Sequence, residues 1–134
     1  MADVVEYSHA ASDMVRTMKS KFVSTSNNGG NRVFVLLLPR KCLVTQVWLD
    51  VKTAYTGAST GSILVGYVDP DGNDADFFID NTDAAPTALG LKKAPVSKGG
   101  RYFEKGGSIT ISLAKGDSAA DISARIFADT RVIY

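Results

Sequence analysis

Apolar and polar residues trade places with a period of two in segment after segment of this chain. That spacing sends successive side chains to opposite faces of a strand. Ile109, Ile111 and Leu113 alternate with Ser108, Thr110 and Ser112. Ile122, Ala124 and Ile126 alternate with Ser123, Arg125 and Phe127, and Ile63, Val65 and Tyr67 with Ser62, Leu64 and Gly66. Two denser runs, residues 32–38 (RVFVLLL) and 42–51 (CLVTQVWLDV), flank Pro39-Arg40-Lys41. Their β-branched, aromatic and leucine side chains suit a half-buried pleated surface. Pro39 has no N–H to give to a ladder, so it marks a corner between two strands. In the second run Thr45, Val47, Leu49 and Val51 fall on one face, and Gln46 and Asp50 on the other.

Turn chemistry separates these runs. Asp69-Pro70-Asp71-Gly72 is a strong turn signal, since proline pre-sets φ at the second position and aspartate and glycine accommodate the rest. Gly66 in mid-strand predicts a bulge or a closely approaching backbone. Phe77-Phe78-Ile79 and Arg101-Tyr102-Phe103 read as short strands, Gly106-Gly107 as a break, Lys115-Gly116-Asp117 as a turn, and Arg131-Val132-Ile133-Tyr134 as a closing strand. Met14, Met18 and Phe22 lie four apart, which fits one helix face and equally one strand face. The turn-rich stretch after them (STSNNGGN, 24–31) favours the strand. Residues 80–100 hold two prolines and three glycines with almost no pattern, and read as a loop of a length more often functional than idle. The sum is an all-β chain of about eight strands, a single-domain jelly roll or β-sandwich. It spans 14–134, and residues 1–13 form an N-terminal arm.

Composition narrows the function classes. A length of 134 residues fits one domain with a proper core, and 45% hydrophobic with 22% charged residues is ordinary for a globular protein. A net charge of +1 gives no support to nucleic-acid binding. No apolar stretch approaches the roughly 20 residues of a membrane helix. The first residues carry no basic-then-apolar export pattern. Cys42 is the sole cysteine, which excludes an intrachain disulfide and a multi-cysteine metal site and points to synthesis in a reducing cytosol.

Catalytic equipment is sparse. His9, the only histidine, lies in the arm, a poor place to hold a base or a metal ligand. Arg40 and Lys41 would lower the pKa of Cys42 if they faced it, but a free cysteine opening an apolar run is expected to pack inside. The acidic run 69–76 offers oxygens to a cation. Its glycine falls at position 4 and its position 12 is Asp80, so it departs from a calcium-loop pattern and reads as a solvated turn. The scattered aromatics, Trp48, Tyr55, Tyr67, Phe77, Phe78, Tyr102 and Phe103, read as core and loop anchors. No catalytic, cofactor-binding or metal-ligating residue is assigned, and whether any small molecule binds stays open. The distribution of charge says more. Residues 69–83 hold six aspartates and no Lys or Arg, while residues 92–105 hold Lys92, Lys93, Lys98, Arg101 and Lys105 against Glu104 alone. Two solvated loops would explain this. So would an acidic loop on one subunit facing a basic loop on its neighbour, which makes Asp69, Asp71, Asp74, Asp76, Lys92, Lys93, Lys98 and Arg101 candidate subunit-interface residues.

The order of segments resembles the small jelly-roll or β-sandwich head decoration (cement) proteins of tailed bacteriophages. The residues that carry the resemblance are Val35-Leu36-Leu37-Leu38-Pro39-Arg40 and Val44-Thr45-Gln46-Val47-Trp48-Leu49-Asp50-Val51. After them come the Gly/Ser/Thr loop, Ser62-Ile63-Leu64-Val65-Gly66-Tyr67, and a closing strand ending at Tyr134. The resemblance runs from about residue 32 onward. It implies a non-enzymatic virion structural protein, made in the host cytoplasm, without a cofactor, and oligomeric with a trimer favoured. Its partner would be the major capsid protein, bound on the capsid exterior at junctions between shell subunits. The alternative is a receptor- or carbohydrate-binding module of a phage tail or fibre. In the decoration role residues 1–13 are expected to reach onto a neighbouring subunit.

Overall fold

The alternating segments become strands of two antiparallel sheets that face each other across one core, a β-sandwich. The computed structural model describes residues 15–28, 32–53, 62–80, 90–93, 100–114 and 121–133. The expected arm, 1–13, lies outside them. In chain order the elements are β1 (Arg16–Lys19), β2 (Val23–Ser24), α1 (Thr25–Asn28), β3 (Arg32–Leu38), β4 (Cys42–Thr53), β5 (Ser62–Asp69) and β6 (Gly72–Ile79). Then come β7 (Gly90–Lys93), β8 (Arg101–Phe103), β9 (Gly107–Ala114) and β10 (Ser123–Val132). One sheet is ordered β1-β10-β4-β7, with β2 also on β10 and β8 also on β4; the other is ordered β3-β9-β5-β6.

The period-two faces meet in the core. Val44, Val47, Leu49 and Val51 of β4 and Ala124, Ile126 and Ala128 of β10 are buried against Leu36, Leu38, Ile63, Val65, Ile109, Ile111 and Leu113 of the other sheet. Each such Val, Leu or Ile removed from water contributes about 1.5–3 kcal/mol before chain entropy is set against it. Pro39 is the corner its chemistry predicts: β3 belongs to one sheet and β4 to the other. The crossing is fixed where the Lys41 amide donates to the Glu104 carbonyl (3.0 Å) and the Ile133 amide donates to the Lys41 carbonyl (2.8 Å).

Irregular pairing explains where the simple alternation departs from the structure. Gln46 pairs Asp129 but Val44 pairs Thr130, so Thr45 is an extra residue in β4. Thr45 is therefore exposed instead of sharing the core face, and Val44 and Cys42 point inward in its place. A bulge inserts one residue and inverts the parity beyond it. In β3 the register jumps between Phe34 and Leu36, which leaves Val35 as the extra residue and turns both Phe34 and Leu37 outward. Met18 packs on the core, whereas Phe22 is exposed. The chain slips between β1 and β2, where buried Ser20 bridges the gap: its amide donates to the Ile126 carbonyl and its hydroxyl accepts from the Ile126 amide, each at 2.9 Å.

Gly66 stands where β5 and β6 lose register, opposite the excursion that carries Phe77 and Phe78. A Cβ on Gly66 would lie 1.9 Å from the Asp74 carbonyl oxygen, so only glycine fits. The stretch 80–100, expected as a patternless loop, contains a strand. β7 pairs Gly90–Lys93 with Val51 through Trp48 of β4. The twelve residues of β4 outrun any single partner on that edge, and β8 and β7 divide it between them.

Candidate interaction surfaces

At one end of the sandwich the acidic turn is fastened to the basic segment of the same chain. The Asp69 carboxylate accepts from the Asp71 amide at 2.9 Å, the local bond that closes the β5–β6 hairpin. Its second oxygen accepts from Nη2 of Arg101 at 3.1 Å. Burial alone would push the Asp69 carboxyl up. The Arg101 hydrogen bond and charge, with the Asp71 and Gly72 amides, outweigh it and hold the group below the usual carboxylate value. Arg101 also lies over the Tyr67 ring, and Tyr67 meets Phe77 and Phe103 edge-on with centroids 5.4 and 5.6 Å apart. Further out, Lys105 pairs with Asp71 at 2.9 Å, both side chains largely in water. β5 comes from one sheet and β8 from the other, so this cluster ties the sheets together.

The structure thus brings together three of the candidate interface residues. Asp69 and Arg101 pair within the chain, and Asp71 takes Lys105. Asp74 lies on β6, where its carboxylate accepts from the Asp76 amide at 3.3 Å. Lys92 and Lys93 stand on β7, opposite Leu49 and Trp48. Lys98 lies outside the described residues.

Two further surfaces were not legible as sites. On the outward face of the larger sheet Trp48 and Phe127 are direct cross-strand neighbours. With Thr17 and Asp129 they line a shallow groove of about 310 Å³. The Thr17 hydroxyl donates to Asp129 at 2.7 Å. Along the same face Arg125 pairs with Asp50 at 2.9 Å and lies over the rings of Phe22 and Phe127. In the smaller sheet Arg32 reaches from the edge strand β3 across its neighbours. Its Nε donates to the Thr110 hydroxyl (3.1 Å), Nη2 to the Tyr67 carbonyl (2.7 Å) and Nη1 to Asn73 (3.0 Å), joining all four strands on their outer side. On β3 itself Phe34 is 67% exposed and Leu37 80%. Among the described residues no group of three or more His, Cys, Asp or Glu is placed to hold a metal ion. What these surfaces offer is stacking, hydrogen bonding and charge.

No protein-family model matches the sequence, and no curated protein matches it. The fold has relatives among solved structures. A chain of the cyanophage Pam1 capsid asymmetric unit superimposes with a TM-score of 0.68 at 18% identity, covering 91% of this chain and 87% of that one. A chain of the acidic stable capsid of Helicobacter pylori bacteriophage KHP30 gives a TM-score of 0.60 at 13% identity, covering 89% of this chain and 94% of that one. At these identities the likeness is one of fold.

Proposed function

We propose that the chain is a non-enzymatic structural protein of a phage virion, a decoration protein that binds the outside of the capsid and stabilises it by bridging shell subunits. One observation carries this reading. The sandwich matches chains in two phage capsids over roughly nine-tenths of both partners, so whole domains correspond rather than a shared hairpin. The physical character of the chain supports it. A sheet module braced by Arg101 and Arg32 is stiff, and stiffness lets contacts on one face resist movement transmitted from another. Its oligomer, a trimer in this reading, would be set by charge across the subunit boundary: Asp74 and Asp76 of one copy against Lys92, Lys93 and Lys98 of the next, with Asp69, Asp71 and Arg101 from the same acidic and basic blocks.

The test is stoichiometric. Quantitative mass spectrometry of purified virions should find this protein in numbers comparable to the major capsid protein. A few copies per particle would move it to the tail, and absence from particles would remove the reading. Charge reversal then checks the oligomer: Asp74→Lys with Asp76→Lys should weaken assembly, and Lys92→Glu with Lys93→Glu should partly restore it. Unchanged assembly in the first variant removes that contact.

A second reading, a carbohydrate- or receptor-binding module of a tail or fibre, is favoured by Trp48 and Phe127, which stand side by side on an outward face with Thr17 and Asp129 at their rim. Saturable glycan binding that Trp48→Ala abolishes would establish it. Its absence over a broad glycan panel would leave Trp48 as a contact for protein.

A further inference from the structure

We propose that the open side of the sandwich between β1–β2 and β3 receives residues 1–14 of a second copy of this chain, which add as a strand along the free edge of β3. Among the described residues β3 ends its sheet, with β9 as its partner and no described strand on its other side. Such an edge recruits an extended segment through main-chain hydrogen bonds. Beside it runs a groove of about 440 Å³ lined, among the described residues, by Phe22, Val23, Val33, Phe34, Val35 and two lysines, Lys19 and Lys21, with no acidic residue among them. The segment has the complementary character. It contains Asp3, Glu6 and Asp13 and no Lys or Arg, and Asp3-Val4-Val5-Glu6-Tyr7 combines strand-forming side chains with two carboxylates. In such a strand Val5 and Tyr7 share the face that would cover Phe34 and its apolar neighbours, with Asp3 on the same face toward Lys19 and Lys21, while Glu6 adds its charge from the other face.

Geometry favours a second copy over the same one. β1 runs with Arg16 opposite Thr130 and Lys19 opposite Phe127. The chain therefore enters β1 at the end remote from Lys21, Phe22 and Val23, and to fill its own groove it would have to reverse at once. Fourteen extended residues span up to roughly 46–50 Å, about twice the length of β3, enough to leave one copy and pair along another. The contact is between copies, so it stands or falls separately from attachment to a capsid.

Two variants of the full chain that each add one cysteine, Val5→Cys and Leu37→Cys, co-expressed and oxidised mildly, provide the test. Any disulfide between them joins two copies, and native Cys42 is fully buried and does not compete. The expected result is a cross-linked pair formed at least about tenfold faster than with exposed Thr45→Cys in place of Leu37→Cys, as proximity in a docked segment requires. Lys19→Glu with Lys21→Glu should suppress it, and adding Asp3→Lys with Glu6→Lys should restore it. Equal rates at the two sites would overturn the proposal, as would a charge swap without rescue. So would a Val5→Cys/Leu37→Cys double variant that closes only within single chains. Circular dichroism of each variant confirms the fold, since all the altered β-strand positions are exposed.

Discussion

The guanidinium carbon of Arg101 lies 3.9 Å from the centroid of the Tyr67 ring, so a cation on β8 closes over an aromatic on β5. The same guanidinium holds Asp69, whose side chain is 8% exposed. Removing it deletes a stacked cation and strands a nearly buried carboxylate, two losses that fall on the joint between sheets. Arg101→Ala should therefore cost about 2–3 kcal/mol in urea unfolding. Arg101→Lys should recover only part, because an ammonium meets Asp69 as a point charge and cannot lie flat on the ring. Full recovery with lysine would show that charge alone matters here.

The depressed Asp69 carboxyl gives the fold an acid-sensitive element. Its folded pKa lies below the unfolded value of about 3.9, so the unfolded chain binds the proton first. Its contribution is complete above that unfolded value and is lost as pH falls through the lower, folded pKa. Stability measured from pH 5 downward should decline, and Asp69→Asn, already less stable at neutral pH, should decline less steeply. The opposite limb belongs to Lys105, whose pKa Asp71 raises. That contribution is present at neutral pH and lost above the ordinary lysine value. Identical acid limbs for wild type and Asp69→Asn would assign the acid transition to other carboxylates.

Gly66 makes the sharpest steric prediction. A methyl group there would meet the Asp74 carbonyl oxygen and the Ala75 carbonyl carbon at 1.9 and 2.4 Å, and backbone cannot swing aside as a side chain can. Gly66→Ala should cost about 3 kcal/mol and lower the melting temperature by about 10 °C. Thr45→Ala, at an exposed bulge, should change stability by less than about 0.5 kcal/mol.

How much of this was legible depends on whether a residue's position follows from its own segment. Ile109, Ile111 and Leu113 needed only a period of two, and Gly66 announced its close backbone because glycine has little other reason to sit in a strand. Thr45 shares the parity of Val47 but not its face, because a one-residue bulge inverts parity and leaves no mark in composition. Phe34 and Leu37 sit in a uniformly apolar run, RVFVLLL, that does not say which members turn outward. β7 is invisible because Gly90-Leu91-Lys92-Lys93 carries no alternating pattern, and its strand character shows only in its pairing along β4. The acidic and basic blocks were plain, but a block cannot say whether its partner lies in the same chain. Asp69 and Arg101, 32 residues apart, are joined by folding, and the sequence left that choice open.

Cys42 tests the first turns of β4. Arg40 and Lys41 precede it and would activate a thiol they faced, yet both are exposed while Cys42 is fully buried, and burial pushes its pKa up. The folded protein should therefore resist an aromatic disulfide reagent at neutral pH, and labelling should follow opening of the β4 end rather than the chemistry of a free thiol. Its rate should rise with urea in step with unfolding measured by circular dichroism. Cys42→Ser, which puts a hydroxyl in the same apolar site, should cost about 1–3 kcal/mol. Labelling that is rapid in water and insensitive to urea would mean that Cys42 and its neighbours open far more readily than the rest of the core, and that the Pro39 corner is loosely held.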